Sequence, residues 1–246
     1  MLRHRLVAHR GYQRNFPENT LIAMTAAVAA GALYIETDIQ FTRDQRPVLY
    51  HDPFLARVSG LEGNIGDLNE ADALATPASE PFRFGERFAT ETIAPLSALV
   101  DFLQNHREVT AFIEAKEEAI AAVGRETACH TLMTALAPVQ DQSVLISFDS
   151  DFIAVAKAQG FPRVGLVVKD WPQIDSEATR AIDPAFIFTN IKHIPDSEDL
   201  SRFSAIVVVY EVAEPDIAIN LFNRGADMVE TFDIGGMIDS LASHSL

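Results

Sequence analysis

The chain of 246 residues is poor in cysteine and in basic residues. Its single cysteine, Cys129, excludes an internal disulfide and any metal site built from several cysteines. Only 19 Lys and Arg stand against 35 Asp and Glu, which leaves a formal net charge of −16. Nucleic acids and anionic membrane surfaces both require clustered basic residues, so this balance argues against either partner.

No hydrophobic run is long enough to cross a bilayer. The longest, residues 21–35, is interrupted by Thr25 and Gly31 and is shorter than the roughly 20 residues that a spanning helix needs. The N-terminus lacks an apolar stretch of signal-peptide length. We therefore expect no membrane insertion and, together with the lone cysteine, a cytoplasmic location.

What the chain does contain is a regular alternation of short β-type runs with helical segments. The β-type runs are rich in Val, Ile, Leu and Phe with little alternation, which is typical of strands buried on both faces. The predicted strands are residues 6–9, 32–41, 47–51, 109–116, 144–148, 163–168, 186–190, 205–212 and 227–231. The predicted helices are residues 20–30, 96–105, 117–136, 150–159 and 214–223.

This alternation predicts an α/β fold with parallel strands and right-handed crossovers. If the strands at 32–41 and 47–51 form one hairpin, eight principal strands remain, and this number predicts a (β/α)8 TIM barrel. A doubly wound sheet is the alternative, but the glycine-rich phosphate loop of such sheets is absent. We expect a single domain over residues 1–246.

Residues 52–92 interrupt the alternation, because they carry turn residues and short helical patches but no convincing barrel strand. We interpret them as a small insertion that leaves the barrel after the second strand. Long loops of this kind are usually functional. Phe82, Phe84 and Phe88 predict either a small apolar core of the insertion or a cover over the mouth of the site.

Four predicted strand ends carry ionisable side chains where apolar residues are expected. In a (β/α)8 barrel, reactive groups gather at these C-terminal ends. Residues at positions i and i+2 of a strand also point to the same face. Glu36 therefore shares a face with Asp38, and Glu114 shares a face with Lys116. The residues are, in chain order, His9 and Arg10, Glu36 and Asp38, His51 and Asp52, and Glu114 and Lys116.

The residue types fit a displacement at phosphorus. Two histidines can act as acid and base. Glu36, Asp38 and Glu114 offer carboxylate ligands to one hard divalent cation, because buried carboxylates need a partner. Arg10 and Lys116 add positive charge for an anionic phosphodiester. At any single strand end, a solvated turn or an ion pair is the better explanation, but the coincidence of four makes that explanation poor.

Five stretches of the sequence resemble, in order, those of the glycerophosphodiester phosphodiesterase family. The resemblance spans about residues 6–234 and is most specific in the first half of the chain. The stretches are Ala8-His9-Arg10-Gly11, Pro17-Glu18-Asn19-Thr20, Glu36-Thr37-Asp38, His51-Asp52-Pro53 and Glu114-Ala115-Lys116.

The resemblance implies a (β/α)8 barrel with a small insertion and assigns roles to the matching residues. It implies His9 and His51 as the acid–base pair, Glu36, Asp38 and Glu114 as ligands of one Mg²⁺ or Ca²⁺ ion, and Arg10 and Lys116 as phosphate-binding residues. Glu18, Asn19 and Asp52 belong to the same stretches, and we expect them to support the site.

The implied reaction is hydrolysis of a small-molecule glycerophosphodiester to glycerol 3-phosphate and an alcohol, a hydrolase activity of lipid and glycerol metabolism. Attack by water and attack by the substrate's own hydroxyl, through a cyclic phosphate, both remain open. The family usually carries Trp-Thr-Val-Asn on its seventh strand, where this chain has Val209-Tyr210-Glu211-Val212. Tyr210 still offers an aromatic face to the substrate, whereas the Asn amide is missing.

Two alternatives remain. A barrel lyase of the phospholipase or sphingomyelinase D type would form a cyclic phosphate from intact lipid, but the acidic composition speaks against it. A non-catalytic phosphodiester-binding barrel gains some support from the altered seventh strand. The complete histidine pair and carboxylate trio count against it. The sequence names neither the alcohol nor the oligomeric state.

Overall fold

The apolar runs form nine strands within residues 2–243, the part of the chain that the computed structural model describes. Eight of these strands run parallel and close into a barrel, because β9 pairs with β1 and β1 pairs with β2. The barrel order is β1-β2-β4-β5-β6-β7-β8-β9, and the short β3 pairs antiparallel with β2 outside it. The predicted TIM barrel is therefore confirmed. The strands are β1 (Leu6–Ala8), β2 (Tyr34–Phe41), β3 (Pro47–Leu49), β4 (Thr110–Ala115), β5 (Ser143–Ser147), β6 (Val164–Val167), β7 (Phe186–Asn190), β8 (Ile206–Tyr210) and β9 (Met228–Thr231).

Helices surround the barrel and also form most of the inserted segment. None of those within residues 2–243 combines the length and apolar composition that crossing a bilayer requires. The helices are α1 (Leu21–Ala29), α2 (Ala56–Ser59), α3 (Glu70–Leu74), α4 (Pro81–Phe84), α5 (Leu96–Asn105), α6 (Glu117–Val123), α7 (Arg125–Leu136), α8 (Ser150–Ala158), α9 (Glu177–Ile182), α10 (Pro215–Asn223) and α11 (Ile234–Ala242).

The helices differ from the prediction at three places. The predicted helix 117–136 is two helices, because Gly124 adopts a positive φ of 85° between α6 and α7. The sequence prediction missed α9, which has only six residues. It also missed α11, whose first turn contains two glycines that disfavour a helix.

Side chains of the barrel strands alternate between the barrel interior and the surrounding helices. Val7, Phe112 and Phe188 point inward and belong to the apolar cluster that fills the interior. Two residues beyond Phe112 on the same strand, Glu114 also points inward and is buried. The interior is thus apolar over much of its depth and becomes polar towards the C-terminal ends of the strands.

The chain leaves β1 through a turn in which Arg10 and Gly11 both have positive φ, 54° and 80°. Gly11 also packs tightly, since a Cβ atom there would lie 2.8 Å from the backbone carbonyl carbon of Ala23 in α1. Only glycine combines this φ with this close approach. The turn sets the position of Arg10 at the top of the barrel.

The inserted segment 52–92 lies between β3 and α5, where the sequence predicts it. The predicted apolar core of Phe82, Phe84 and Phe88 is wrong, because Phe82 is 85% exposed and only Phe88 is buried. The apolar core under the insertion instead contains Val48, Tyr50, Leu55, Val58, Ile65, Ala78 and Ile93. Organisation as a single domain over 1–246 stays a prediction, and residues 1 and 244–246 lie outside the described part.

We expect Gly11→Ala to lower the free energy of unfolding by about 2–5 kcal/mol, because it adds a steric clash to the cost of a positive φ. Gly160→Ala is the matched control, because Gly160 has a φ of 89° and no atom within 4 Å of a Cβ position. It should cost only about 1–2 kcal/mol. Urea unfolding measures both values, and equal costs would contradict the packing role of Gly11.

Candidate active site

A polar cavity of about 120 Å³ opens at the C-terminal ends of the barrel strands. The structure brings the predicted strand-end residues together here, and Asp38 lies directly beside the lining residues. Its wall is apolar on the side of β5, β6 and β7 and ionisable elsewhere. The lining residues are His9, Arg10, Glu36, His51, Glu114, Lys116, Ile146, Phe148, Val167, Phe188, Tyr210, Glu211 and Glu230.

Three predicted metal ligands lie close together on β2 and β4. Glu36, Asp38 and Glu114 each place one carboxylate oxygen within 4.8 Å of the other two. All three side chains are buried, and Oε1 of Glu36 has no hydrogen-bond partner among the described residues. Burial, reinforced by the neighbouring carboxylates, raises the pKa of Glu36 well above its usual range. An unsatisfied oxygen among crowded carboxylates fits a divalent cation, which these three residues would hold.

Two cations compensate the central carboxylate, Asp38. Arg10 Nε lies 3.0 Å from Oδ2 of Asp38, and Lys116 Nζ lies 3.5 Å from its Oδ1. Lys116 Nζ also donates a 2.7 Å hydrogen bond to Glu114 Oε1. Burial alone would raise the pKa of Asp38, but Arg10 and Lys116 hold that pKa well below its usual range. Asp38 is therefore ionised at neutral pH.

The two predicted acid–base residues face this cavity in different environments. His9 is buried, and its ring stacks on Phe232 at a centroid distance of 4.7 Å. Burial lowers the pKa of His9 well below its usual range, so this imidazole is neutral at pH 7. His51 is more exposed, and its Nδ1 lies 2.5 Å from Oδ1 of Asp52. That contact fixes the His51 ring, and its Nε2 has no hydrogen-bond partner among the described residues.

The predicted supporting residues contact the charged groups directly. Asn19 donates a 2.9 Å hydrogen bond from Nδ2 to Asp38 Oδ2, and its Oδ1 accepts hydrogen bonds from the Thr37 hydroxyl and the Asp38 amide. Glu18 is buried and accepts a 3.0 Å hydrogen bond from Arg10 Nη1. The segment before α1 therefore holds both partners of the Arg10–Asp38 ion pair in place.

Arg57 is a site residue that the sequence analysis missed. Its guanidinium donates two 2.7 Å hydrogen bonds to the Glu18 carboxylate. It donates two more, of 2.7 and 3.0 Å, to the Asp52 carboxylate. Arg57 lies on α2 of the insertion, and no sequence signal marks it. The insertion therefore orients Asp52, and through Asp52 the ring of His51.

Glu230 on β9 is the second residue that was missed. It is 3% exposed, and its Oε1 has no hydrogen-bond partner within residues 2–243. Burial, together with the nearby carboxylates of Glu114 and Asp38, raises the pKa of Glu230 well above its usual range. The sequence does contain a signal for Glu230, because this acid interrupts the apolar inward face of β9 two residues after Met228. The cavity thus has four buried carboxylates among the described residues, not three.

Tyr210, the predicted substrate-binding residue on β8, also lines the cavity. Burial, with the nearby carboxylates, raises the pKa of its phenol, so Tyr210 presents a neutral aromatic side chain. The aromatic ring of Phe148 also lines the cavity, with Lys116 Nζ 6.0 Å from its centroid. These rings form the less polar side of the site.

Comparison with known proteins places the chain among phosphodiesterases. A sequence model of the glycerophosphoryl diester phosphodiesterase family matches residues 9–235. Over 98 residues the chain is 36% identical to the glycerophosphodiester phosphodiesterase of Caldanaerobacter subterraneus subsp. tengcongensis, covering 40% of each protein. Over 122 residues it is 32% identical to a protein of the same name from Bacillus altitudinis, covering 50% of this chain and 49% of that one. The match spans less than half the length of these curated relatives.

The barrel also matches solved structures over almost its full length. A phosphodiesterase from Oleispira antarctica, solved in complex with the product sn-glycerol-3-phosphate, aligns with a TM-score of 0.86. The alignment covers 97% of both chains at 23% identity. Because the sequence identity is this low, the structural similarity is evidence for the fold alone.

We expect Arg57→Ala to lower the free energy of unfolding by about 1–3 kcal/mol, because buried Glu18 loses two charge-assisted hydrogen bonds. Arg202→Ala is the matched control. Arg202 also pairs with two carboxylates, but that of Asp175 is half exposed, so its loss should cost about 0–1 kcal/mol. Denaturant unfolding of both variants checks this difference, and an effect no larger at Arg57 would contradict it.

Proposed function

The chain belongs to the glycerophosphoryl diester phosphodiesterase family, and we propose that it hydrolyses glycerophosphodiesters to sn-glycerol 3-phosphate and an alcohol. The observation that carries the proposal is one cavity that gathers two imidazoles, a carboxylate trio and two cationic side chains. The product bound to the Oleispira antarctica relative supports the same chemistry. The reaction belongs to lipid and glycerol metabolism, and the cytoplasmic location stays a prediction.

The phosphodiester group binds beside Arg10 and Lys116 in this proposal. Both side chains line the cavity and carry charge at neutral pH, because nearby carboxylates raise the pKa of each above its usual value against the effect of burial. They supply donors to the phosphoryl oxygens in an environment with little competing water. Tyr210, which also lines the cavity, contacts the organic part of the substrate.

The site fits a resident divalent cation through Glu36, Asp38 and Glu114. The fit rests on the unpartnered Oε1 of Glu36 and on the hard oxygen donors of all three residues. When bound, Mg²⁺ or Ca²⁺ supplies positive charge that polarises the phosphoryl group.

Proton transfer falls to His9 and His51. One imidazole accepts the proton of the attacking hydroxyl, and the other donates a proton to the leaving alcohol oxygen. Asp52 holds the His51 ring through Nδ1, so Nε2 is presented to the substrate. Phe232 holds the His9 ring by stacking, which restricts its orientation without adding charge. The attacking hydroxyl belongs to water or to the substrate's own glycerol.

Purified protein with Mg²⁺ or Ca²⁺ should release sn-glycerol 3-phosphate from glycerophosphocholine or a related diester. Phosphorus NMR of the reaction identifies the product directly. If a cyclic phosphate were the sole product, the enzyme would be a lyase and not a hydrolase. Tight binding without turnover, on a panel of diesters with metal present, would instead indicate a non-catalytic binding barrel.

We expect His9→Ala and His51→Ala each to lower kcat by about 10²–10⁴-fold, because each removes one proton-transfer group. His130→Ala is the control, since His130 is exposed on α7 away from the cavity. Steady-state kinetics with saturating metal measure all three. Near-normal turnover in either cavity variant would contradict the assigned role.

Mg²⁺ or Ca²⁺ should raise the melting temperature of the wild-type protein, since ligand at 100 times Kd stabilises the folded state by about 2.7 kcal/mol. Glu36→Gln should abolish most of this metal-induced increase, because it removes a charged ligand. Glu211→Gln is the control, as it neutralises an exposed carboxylate of the same cavity. Calorimetry with and without EDTA checks the prediction, which an equal increase in the Glu36 variant would contradict.

A further inference from the structure

The cavity contains a second group of metal-ligand atoms that the proposed reaction does not use as a unit. His9, Glu36 and Glu230 each place one ligand atom within 4.8 Å of the other two. His9 Nε2 and Glu36 Oε2 lie 3.8 Å apart. This group shares Glu36 with the carboxylate trio but lies on the β1–β9 side of the barrel.

Unpartnered atoms in this group point to a ligand. Oε1 of Glu36 and Oε1 of Glu230 are buried, and neither has a hydrogen-bond partner in the described part of the chain. All three residues are more than nine-tenths buried and line the same cavity. A buried carboxylate oxygen without a partner costs free energy, which a bound cation removes.

The ligand atoms of His9, Glu36 and Glu230 favour a different metal ion than the carboxylate trio does. One imidazole nitrogen with two carboxylate oxygens suits a borderline ion such as Zn²⁺, whereas three carboxylates suit Mg²⁺ or Ca²⁺. Ligand atoms about 2.0–2.2 Å from a tetrahedral Zn²⁺ lie about 3.3–3.6 Å apart, close to the 3.8 Å between His9 Nε2 and Glu36 Oε2. Small side-chain rotations are therefore enough to close this group around an ion.

We propose that His9, Glu36 and Glu230 form a second metal site, which shares Glu36 with the carboxylate trio, and that Zn²⁺ bound there inhibits the enzyme. The inhibition rests on the proposed function, in which His9 transfers a proton. A His9 nitrogen that donates its lone pair to Zn²⁺ can no longer accept a proton from the attacking hydroxyl. The binding itself does not depend on the reaction.

The fourth carboxylate of the cavity lowers the electrostatic cost of a second cation. Glu36, Asp38, Glu114 and Glu230 together exceed Arg10 and Lys116 by two negative charges, which one divalent ion balances. With only three of these acids, one ion would already leave the site positive. A second divalent ion would leave the site at about +2 with Glu230 and at about +3 without it, so Glu230 lowers the electrostatic cost of binding the second ion.

Isothermal titration of Zn²⁺ into protein saturated with Mg²⁺ tests the site directly. The wild-type protein should bind one Zn²⁺ while keeping its Mg²⁺, which metal analysis after gel filtration measures. Glu230→Gln and His9→Ala should each weaken Zn²⁺ binding at least about tenfold, since even outer-shell changes at metal sites cost about 10–100-fold. Glu211→Gln, at the rim of the same cavity, should bind Zn²⁺ as the wild type does.

Activity supplies the second measurement. Zn²⁺ should lower kcat at saturating Mg²⁺ and substrate. The Zn²⁺ concentration that halves the uninhibited rate should be at least about tenfold higher for Glu230→Gln than for the wild type. Zn²⁺ that displaces Mg²⁺ one for one, or that binds Glu230→Gln as tightly as wild type, would overturn the proposal. Absence of turnover with Mg²⁺ or Ca²⁺ alone would overturn the proposed function but leave the binding result valid.

Discussion

Burial of four carboxylates at one end of the barrel is the constraint on which the rest of the site depends. Such groups stay charged only when cations or hydrogen-bond donors lie beside them. Arg10 and Lys116 meet this requirement for Asp38, whereas Glu36 and Glu230 each keep an oxygen without a partner. The C-terminal end of the barrel interior therefore favours cations, and a cation bound there would let a protein with a net charge of −16 hold the proposed anionic diester beside it.

A continuous series of ion pairs extends this charge compensation from the buried carboxylates towards the surface. Arg10 pairs with Glu18, Glu18 pairs with Arg57, and Arg57 pairs with Asp52, which contacts His51. Each carboxylate in the series is shared between two cationic or hydrogen-bonding partners, so moving one member disturbs the next. One imidazole is thus oriented through ion pairs and the other, His9, through an aromatic stack.

Local patterns explain why much of the molecule could be predicted. The barrel follows from buried strands that alternate with helices, and Glu36 and Glu114 were recognised because an acid breaks an apolar strand. Glu230 breaks β9 in the same way, so the same criterion could have identified it. Arg57 could not be identified, because folding of the insertion brings Glu18 and Asp52 to it from distant positions. The exposure of Phe82 escaped prediction for the same reason.

The inserted segment is joined to the barrel by groups that also serve the site, and this limits how it can evolve. Arg57 holds Asp52, and buried Glu80 accepts a 2.7 Å hydrogen bond from the backbone amide of Glu18. Replacing residues 52–92 with a shorter or unrelated loop would remove both contacts together. The segment therefore cannot be exchanged as an independent module, because its loss would release both Asp52 and the backbone of Glu18.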